Sequence, residues 1–159
     1  MLGEMPIDDG AYYGIHTARA VKNFAITGVP IHSVLVDALV TIKKAAAITN
    51  RSIGVLDGKI AGAIIAACDE ILSCALAEQF GVDCMQGGAG TSANMNVNEV
   101  IANRAIELLG GRKGEYSLVH PLDHVNLFQS TNDVFPTAVR IAAIRLLKPV
   151  TEQFAALQT

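Results

Sequence analysis

Two stretches of this sequence hold more hydrogen-bond donors than local structure requires. The first is Gly87-Gly88-Ala89-Gly90-Thr91-Ser92-Ala93-Asn94-Met95-Asn96-Val97-Asn98-Glu99-Val100, a glycine-rich loop running into a helical pattern. The first turn of a helix has unpaired N–H groups and the positive end of the helix dipole. Thr91, Ser92 and Asn94 add side-chain donors there, and the glycines let a ligand come close to the backbone. Such a place suits a carboxylate or a phosphate. The second stretch is Gln129-Ser130-Thr131-Asn132-Asp133-Val134-Phe135-Pro136-Thr137. Ser130, Thr131, Asn132 and Asp133 are all helix-capping types, and Pro136 suits an early helical position. One donor-rich helix start is ordinary. Two in one chain point to a ligand with two negative ends, such as a small dicarboxylate. The plainer reading of each stretch, a cap and a turn, stays open at this level.

Other chemistries find less support. The first stretch lacks the Gly-Lys-Ser/Thr ending of a phosphate-binding P-loop. His120 and His124 have the i, i+4 spacing of a metal pair, but Pro121 between them works against a regular helix and no third ligand is near in sequence. No metal site is expected. His16 and His32 have no local partners. Cys68 and Cys74 fall in an apolar helical pattern and read as inert core residues. Asn94 and Asn98 share a helix face. For Asn96 and Asn98 the favoured reading is a structural hydrogen-bond network, because buried amides need partners.

The elements that must position these residues are helical. Residues 1–30 read as irregular, with at most a short extended piece. Val34, Leu35, Ala38, Leu39, Ile42 and Ala45 mark one face of a helix with Ser33 as its cap and Gly54 as its stop. A second helix starts near Asp57 and runs to 79–81. A third spans about Ser92 to Leu109 and stops at Gly110-Gly111. A polar loop around Pro121 follows, over 112–129. A fourth helix begins within 130–136 and continues to the end of the sequence, with a kink expected at Pro149. A chain ending inside a helical pattern reads as the front part of a longer protein.

Composition narrows the class. Of 159 residues, 51% are hydrophobic and 17% charged, with a net charge of −3. That is too apolar for a disordered chain and lacks the basic excess of a nucleic-acid binder. The longest run of apolar or small residues, 60–68, is far short of the ~18 a membrane span needs. The three cysteines form no CxxC pair, and residues 1–9 have no signal-peptide pattern. A cytoplasmic location fits. The surplus of apolar side chains points to surface buried elsewhere, either in an oligomer or against chain outside this sequence.

The chain from Gly90-Thr91-Ser92 through Arg104-Ala105 resembles the first signature region of the aspartase/fumarase superfamily. His120-Pro121, Gln129-Ser130-Thr131-Asn132-Asp133 and Pro136-Thr137 resemble its next segment. Tyr12-Tyr13-Gly14-Ile15-His16-Thr17, with Arg19-Ala20 and Asn23-Phe24, is similar to its opening. Gly-Thr-Ser at 90–92 and Ser-Thr-Asn at 130–132 are closer to the ammonia-lyase branch than to the class II hydratases. Ala89 stands where the hydratases have serine.

The resemblance implies a mainly α fold. Residues 1–130 would form the N-terminal helical domain, and 131–159 the start of the first helix of a central bundle, in a homotetramer. It implies reversible elimination of ammonia from L-aspartate to give fumarate, through a Cβ carbanion with enediolate character and with no organic cofactor. Thr91, Ser130, Thr131 and Asn132 match the superfamily's substrate-binding positions, and Ser92 and Asn94 would support the helix start. The loop that bears the superfamily's catalytic serine and a carboxylate-binding lysine is not in this sequence, nor is its Thr-His pair. No catalytic base is therefore expected within these residues, and the 159 residues alone are expected to be inactive. Leu122 replaces an asparagine of a secondary anion site in the hydratases, so no such site is expected near His120. The alternatives are the same part of a fumarase, or a catalytically silent helical module that binds partners through its apolar faces.

Overall fold

The computed structural model describes residues 5–158. A helix from Thr91–Leu108 runs through the middle, and every residue from Ala93 to Asn103 is buried. A helix buried all round is a core element, yet this one carries Asn94, Asn96, Asn98, Glu99 and Asn103. Buried polar side chains require partners, and these reach segments far away in the chain: Asn94 and Asn98 meet Asn126, Asn96 meets Gln79, Glu99 meets the start of the first helix, and Asn103 meets Tyr12. They tie the core helix to its surroundings as its apolar residues cannot.

In chain order the helices are α1 (Ile15–Asn23), α2 (Ser33–Ser52), α3 (Gly58–Leu72), α4 (Thr91–Leu108) and α5 (Thr131–Leu157). A 3₁₀ turn covers Ala77–Gln79 and a π-helical turn Pro121–Val125. The described residues contain no β-strand; Pro30 and Asp83 form an isolated antiparallel bridge. The fold is mainly α, as the sequence predicts.

α2 and α3 pack side by side after a short turn in which Gly54 adopts φ +77° and Asn50 O accepts from the N–H groups of Val55 and Leu56. The core lies between them and α4. It is built from Leu39, Val40, Ala61, Ile64, Ala67, Val97, Val100, Ile101 and Ile106. Alanines on α3 let it approach closely. The first turns of α5 close one side through Val134, Ala138 and Ala142. Beyond residue 142 the described part of α5 is exposed on all faces. No described helix is long and apolar enough to cross a membrane.

Several local expectations need correction. Residues 15–23 are helical, not irregular. Gly14, the N-cap of α1, has no side chain to cap with. Glu99 of α4 does it instead, accepting from the N–H groups of Gly14 (2.9 Å), His16 (3.0 Å) and Thr17 (3.0 Å) and from the Thr17 hydroxyl (2.6 Å). α2 is capped by His32, whose Nδ1 accepts from Val34 N–H, and Ser33 is its first residue. α3 has the expected Asp57 cap but ends at Leu72, because Cys74 and Leu76 turn left-handed (φ 69° and 62°). Cys68 is buried as expected; Cys74 lies past the helix end and is exposed. The polar loop contains the π-helical turn, capped by His120 Nδ1 at Leu122 and Asp123 N–H. α5 continues past Pro149 to Leu157, with both Pro136 and Pro149 inside it.

Candidate functional site

The site is built where α4 and α5 begin. Gly90 is the N-cap of α4 at φ +80°, and a Cβ there would run into the Phe135 ring on α5. The close approach and the left-handed backbone both call for glycine. Four residues on, Asn94 Nδ2 donates to Thr131 Oγ1 (3.1 Å) at the first position of α5. The two donor-rich stretches are therefore in contact within one chain.

At this junction several donors are open. Ala93 N–H is taken by Gln86 Oε1 (2.7 Å) and Asn94 N–H by Gly90 O (3.0 Å). Among the described residues the N–H groups of Thr91 and Ser92 have no partner, and neither do their hydroxyls. On α5, Ser130 is the N-cap, its Oγ accepting from Asn132 N–H (3.2 Å). Asp133 and Val134 N–H go to Ser130 O. The N–H of Thr131 and the side chain of Asn132 have no partner among the described residues. Thr91, Ser130 and Asn132 are exposed, Thr131 and Ser92 half-buried. Two helix starts with free N–H groups and free side-chain donors can hold oxyanions. Asn94, only 1% exposed, lies beneath the junction and braces it.

Below the junction is a buried polar hub that sequence reasoning missed. Asn126 Oδ1 accepts from Lys43 Nζ (2.7 Å), Asn94 Nδ2 (3.2 Å) and Asn98 Nδ2 (3.3 Å). Lys43 also donates to Gln129 Oε1 (3.0 Å). Burial lowers the Lys43 ammonium to about 7, with the Cys68 thiol acting weakly the other way. The signal was in the sequence: a lysine stands within the apolar stripe of α2 that contains Val36, Leu39, Val40 and Ala47. Asn98 thus joins a structural network, as expected. Asn96 does too, donating to Gln79 O (3.0 Å).

The histidines play local roles. His120 N–H donates to His124 Nδ1 (2.9 Å), and His120 Nδ1 lies 3.2 Å from Asp123 Oδ2. Burial holds His124 below the ordinary histidine value. No group of three or more metal-ligating side chains occurs among the described residues.

The geometry is that of an all-helical domain with paired, open helix starts. Comparison with known proteins says which kind. A family model described as "Lyase" matches residues 3–159. The chain is 52% identical over 151 residues to an aspartate ammonia-lyase from Bacillus sp, covering 95% of this chain and 32% of that protein. It is 50% identical over 159 residues to a class II fumarate hydratase from Halobacterium salinarum, covering 98% of this chain and 34% of that one. The crystal structure of fumarate lyase:delta crystallin from Brucella melitensis superposes with a TM-score of 0.88 at 54% identity, over 90% of this chain and 34% of that chain.

The chain belongs to this lyase family, the aspartase/fumarase superfamily. It spans about a third of the length of the relatives it matches.

Proposed function

We propose that this chain supplies carboxylate-binding donors to a lyase that reversibly eliminates ammonia from L-aspartate to give fumarate. The observation that carries the reading is the junction of α4 and α5, where open donors at Thr91, Ser92, Thr131 and Asn132 gather around the Asn94–Thr131 bond. A dicarboxylate has a negative group at each end, and the two helix starts offer one receptor each. The Gly-Thr-Ser and Ser-Thr-Asn sequences at these starts support the ammonia-lyase reading.

In this reaction a base removes a proton from Cβ, and the adjoining carboxylate takes up the electron pair as an enediolate dianion. Loss of the amine at Cα then forms the double bond. Donors accelerate the reaction only if they hold the dianion more tightly than the substrate. Thr91, Ser130, Thr131 and Asn132 take that role, with Ser92 and Asn94 supporting the helix starts. The base comes from chain beyond these residues. Residues 1–130 form the N-terminal domain and 131–159 begin a bundle helix that assembles as a homotetramer, in the cytoplasm.

The 50% identity to a class II fumarate hydratase favours one second reading, in which water replaces ammonia. A coupled assay on the complete protein separates the two: fumarate with ammonia against fumarate alone. Within the first reading, Thr91→Val should lower the rate of fumarate release from L-aspartate about 100-fold, the cost of one oxyanion donor. A rate within twofold of wild type would remove Thr91 from the site.

A further inference from the structure

Lys43 stands where an apolar residue belongs. It shares the buried face of α2 with Val36, Leu39, Val40 and Ala47 and has 0% exposure. Its ammonium meets two neutral amide oxygens, Asn126 Oδ1 and Gln129 Oε1. Among the described residues no carboxylate lies within ion-pair distance of it. Burying an ammonium against neutral partners is costly, and a well-packed apolar side chain of similar volume often does as well or better for stability. Packing therefore does not account for the charge.

Its position does. Asn126 Nδ2 donates to Gln129 O (2.8 Å), and Gln129 Nε2 donates to Val125 O (2.9 Å). These bonds shape the turn that delivers Ser130. The same Asn126 oxygen that holds Lys43 receives Asn94, and Asn94 reaches Thr131. Lys43 is thus three hydrogen bonds from the start of α5, and salt screens buried charges at that range only weakly.

We propose that Lys43 is a positioning residue of the dicarboxylate site: through Asn126 and Gln129 it fixes the turn carrying Ser130, Thr131 and Asn132, and it sets a positive charge behind both helix starts that favours a doubly negative guest. The inference rests on the dicarboxylate reading above. Lys43 touches no substrate in it.

Several titratable groups stand on the elements packed around Lys43. From α3 the Cys68 thiol faces it, pushed up to about 12 by burial and hence neutral. α4 presents Asn94 and Asn98, which do not titrate. The π-helical turn brings His124, held below the ordinary histidine value by burial. On α2, Lys44 is paired with Asp69. α5 carries Asp133 in its first turn, then Arg140 and Arg145, the last of which donates to Thr41 Oγ1 (3.4 Å).

The experiment is calorimetric binding of succinate, a saturated dicarboxylate that cannot undergo elimination, to the complete protein and to Lys43→Met. At about pH 6, where the ammonium is charged, Lys43→Met should bind about tenfold or more weakly. Wild-type affinity should fall between about pH 6 and about pH 9 toward that of the variant, whose own affinity should change little over this range. Equal affinities at about pH 6 would overturn the role of Lys43 and leave the dicarboxylate reading standing. No succinate binding by wild type would sink that reading and this inference with it. Should Lys43→Met fail to fold, Gln129→Glu takes its place. A carboxylate against the ammonium keeps it charged to higher pH, so the alkaline loss of affinity should move up by about one pH unit or more. An unmoved midpoint would overturn the proposal.

Discussion

Glu99 has 0% exposure in the centre of α4, and its carboxylate accepts four hydrogen bonds from the start of α1. A glutamine there has one acceptor oxygen and turns an NH₂ group toward N–H donors. Glu99→Gln should therefore cost about 2–3 kcal/mol in urea unfolding, since unsatisfied buried donors keep their desolvation penalty. Gly14 is fixed by the same contact: a Cβ would lie 2.6 Å from Glu99 Oε1 and 2.5 Å from the Tyr116 hydroxyl. Lys43 gives a prediction of opposite electrostatic kind. Burial takes its ammonium from the ordinary 10.5 to about 7. Between these values the unfolded chain binds more protons than the folded one, so stability rises as pH increases through that window. Lys43→Met should remove this rise, read from urea midpoints at a series of pH values; an identical slope in the variant would mean Lys43 keeps its ordinary value. The open donors at Thr91 and at 130–132 could be read from residue type and spacing, because they lie beside their own helix starts. Lys43 is conspicuous in the apolar stripe of α2, but it could not be paired with Asn126 from sequence, because the two are 83 positions apart and Asn126 is unremarkable in its polar loop.

At the level of elements, helices with local signals were legible and those with distant ones were not. α3 starts where Asp57 caps it, and α4 ends where Gly110 adopts φ +83°. α1 was invisible because its cap is on α4, 85 positions away in the case of Gly14. The early end of α3 was hidden as well, since Cys74 and Leu76 are not residues that advertise a left-handed turn. The loop before α2 depends on another remote carboxylate. Asp83 is buried, which opposes ionisation, but hydrogen bonds from Met85 N–H (2.8 Å), the Thr27 hydroxyl (2.8 Å) and N–H (2.7 Å), and Gly28 N–H (2.9 Å) outweigh that. They hold its carboxyl well below the ordinary carboxylate range. A depressed value means the stabilisation is full above that ordinary range and is lost as pH falls toward the folded value. Hydrogen exchange at Thr27 and Gly28, corrected for the intrinsic pH effect, should stay slow at neutral pH and speed up in strong acid. In Asp83→Asn it should be fast at both.

The whole molecule is finished on one side and open on another. α4 is enclosed by α1, α2, α3 and the first turns of α5; its Glu99 carboxylate and the Nδ2 groups of its buried asparagines form internal ties, while the Oδ1 atoms of Asn94, Asn96 and Asn98 have no partner among the described residues. The later part of α5 has no such cover: Ile144, Leu147, Phe154 and Leu157 are 69%, 58%, 67% and 83% exposed. Exposed apolar strips mark interaction surfaces, and on a chain with 17% charged residues this one leads to a prediction of self-association. At micromolar concentration the purified chain should sediment as a species heavier than its 16.7 kDa monomer. Replacing Ile144, Leu147 and Phe154 together with glutamate should shift it toward the monomer, with circular dichroism showing the helices retained. These positions lie on the far part of α5, and the Asn94–Thr131 junction lies at its start, so the triple variant should keep that junction intact. A wild-type chain that stays monomeric would show that the strip alone does not drive association.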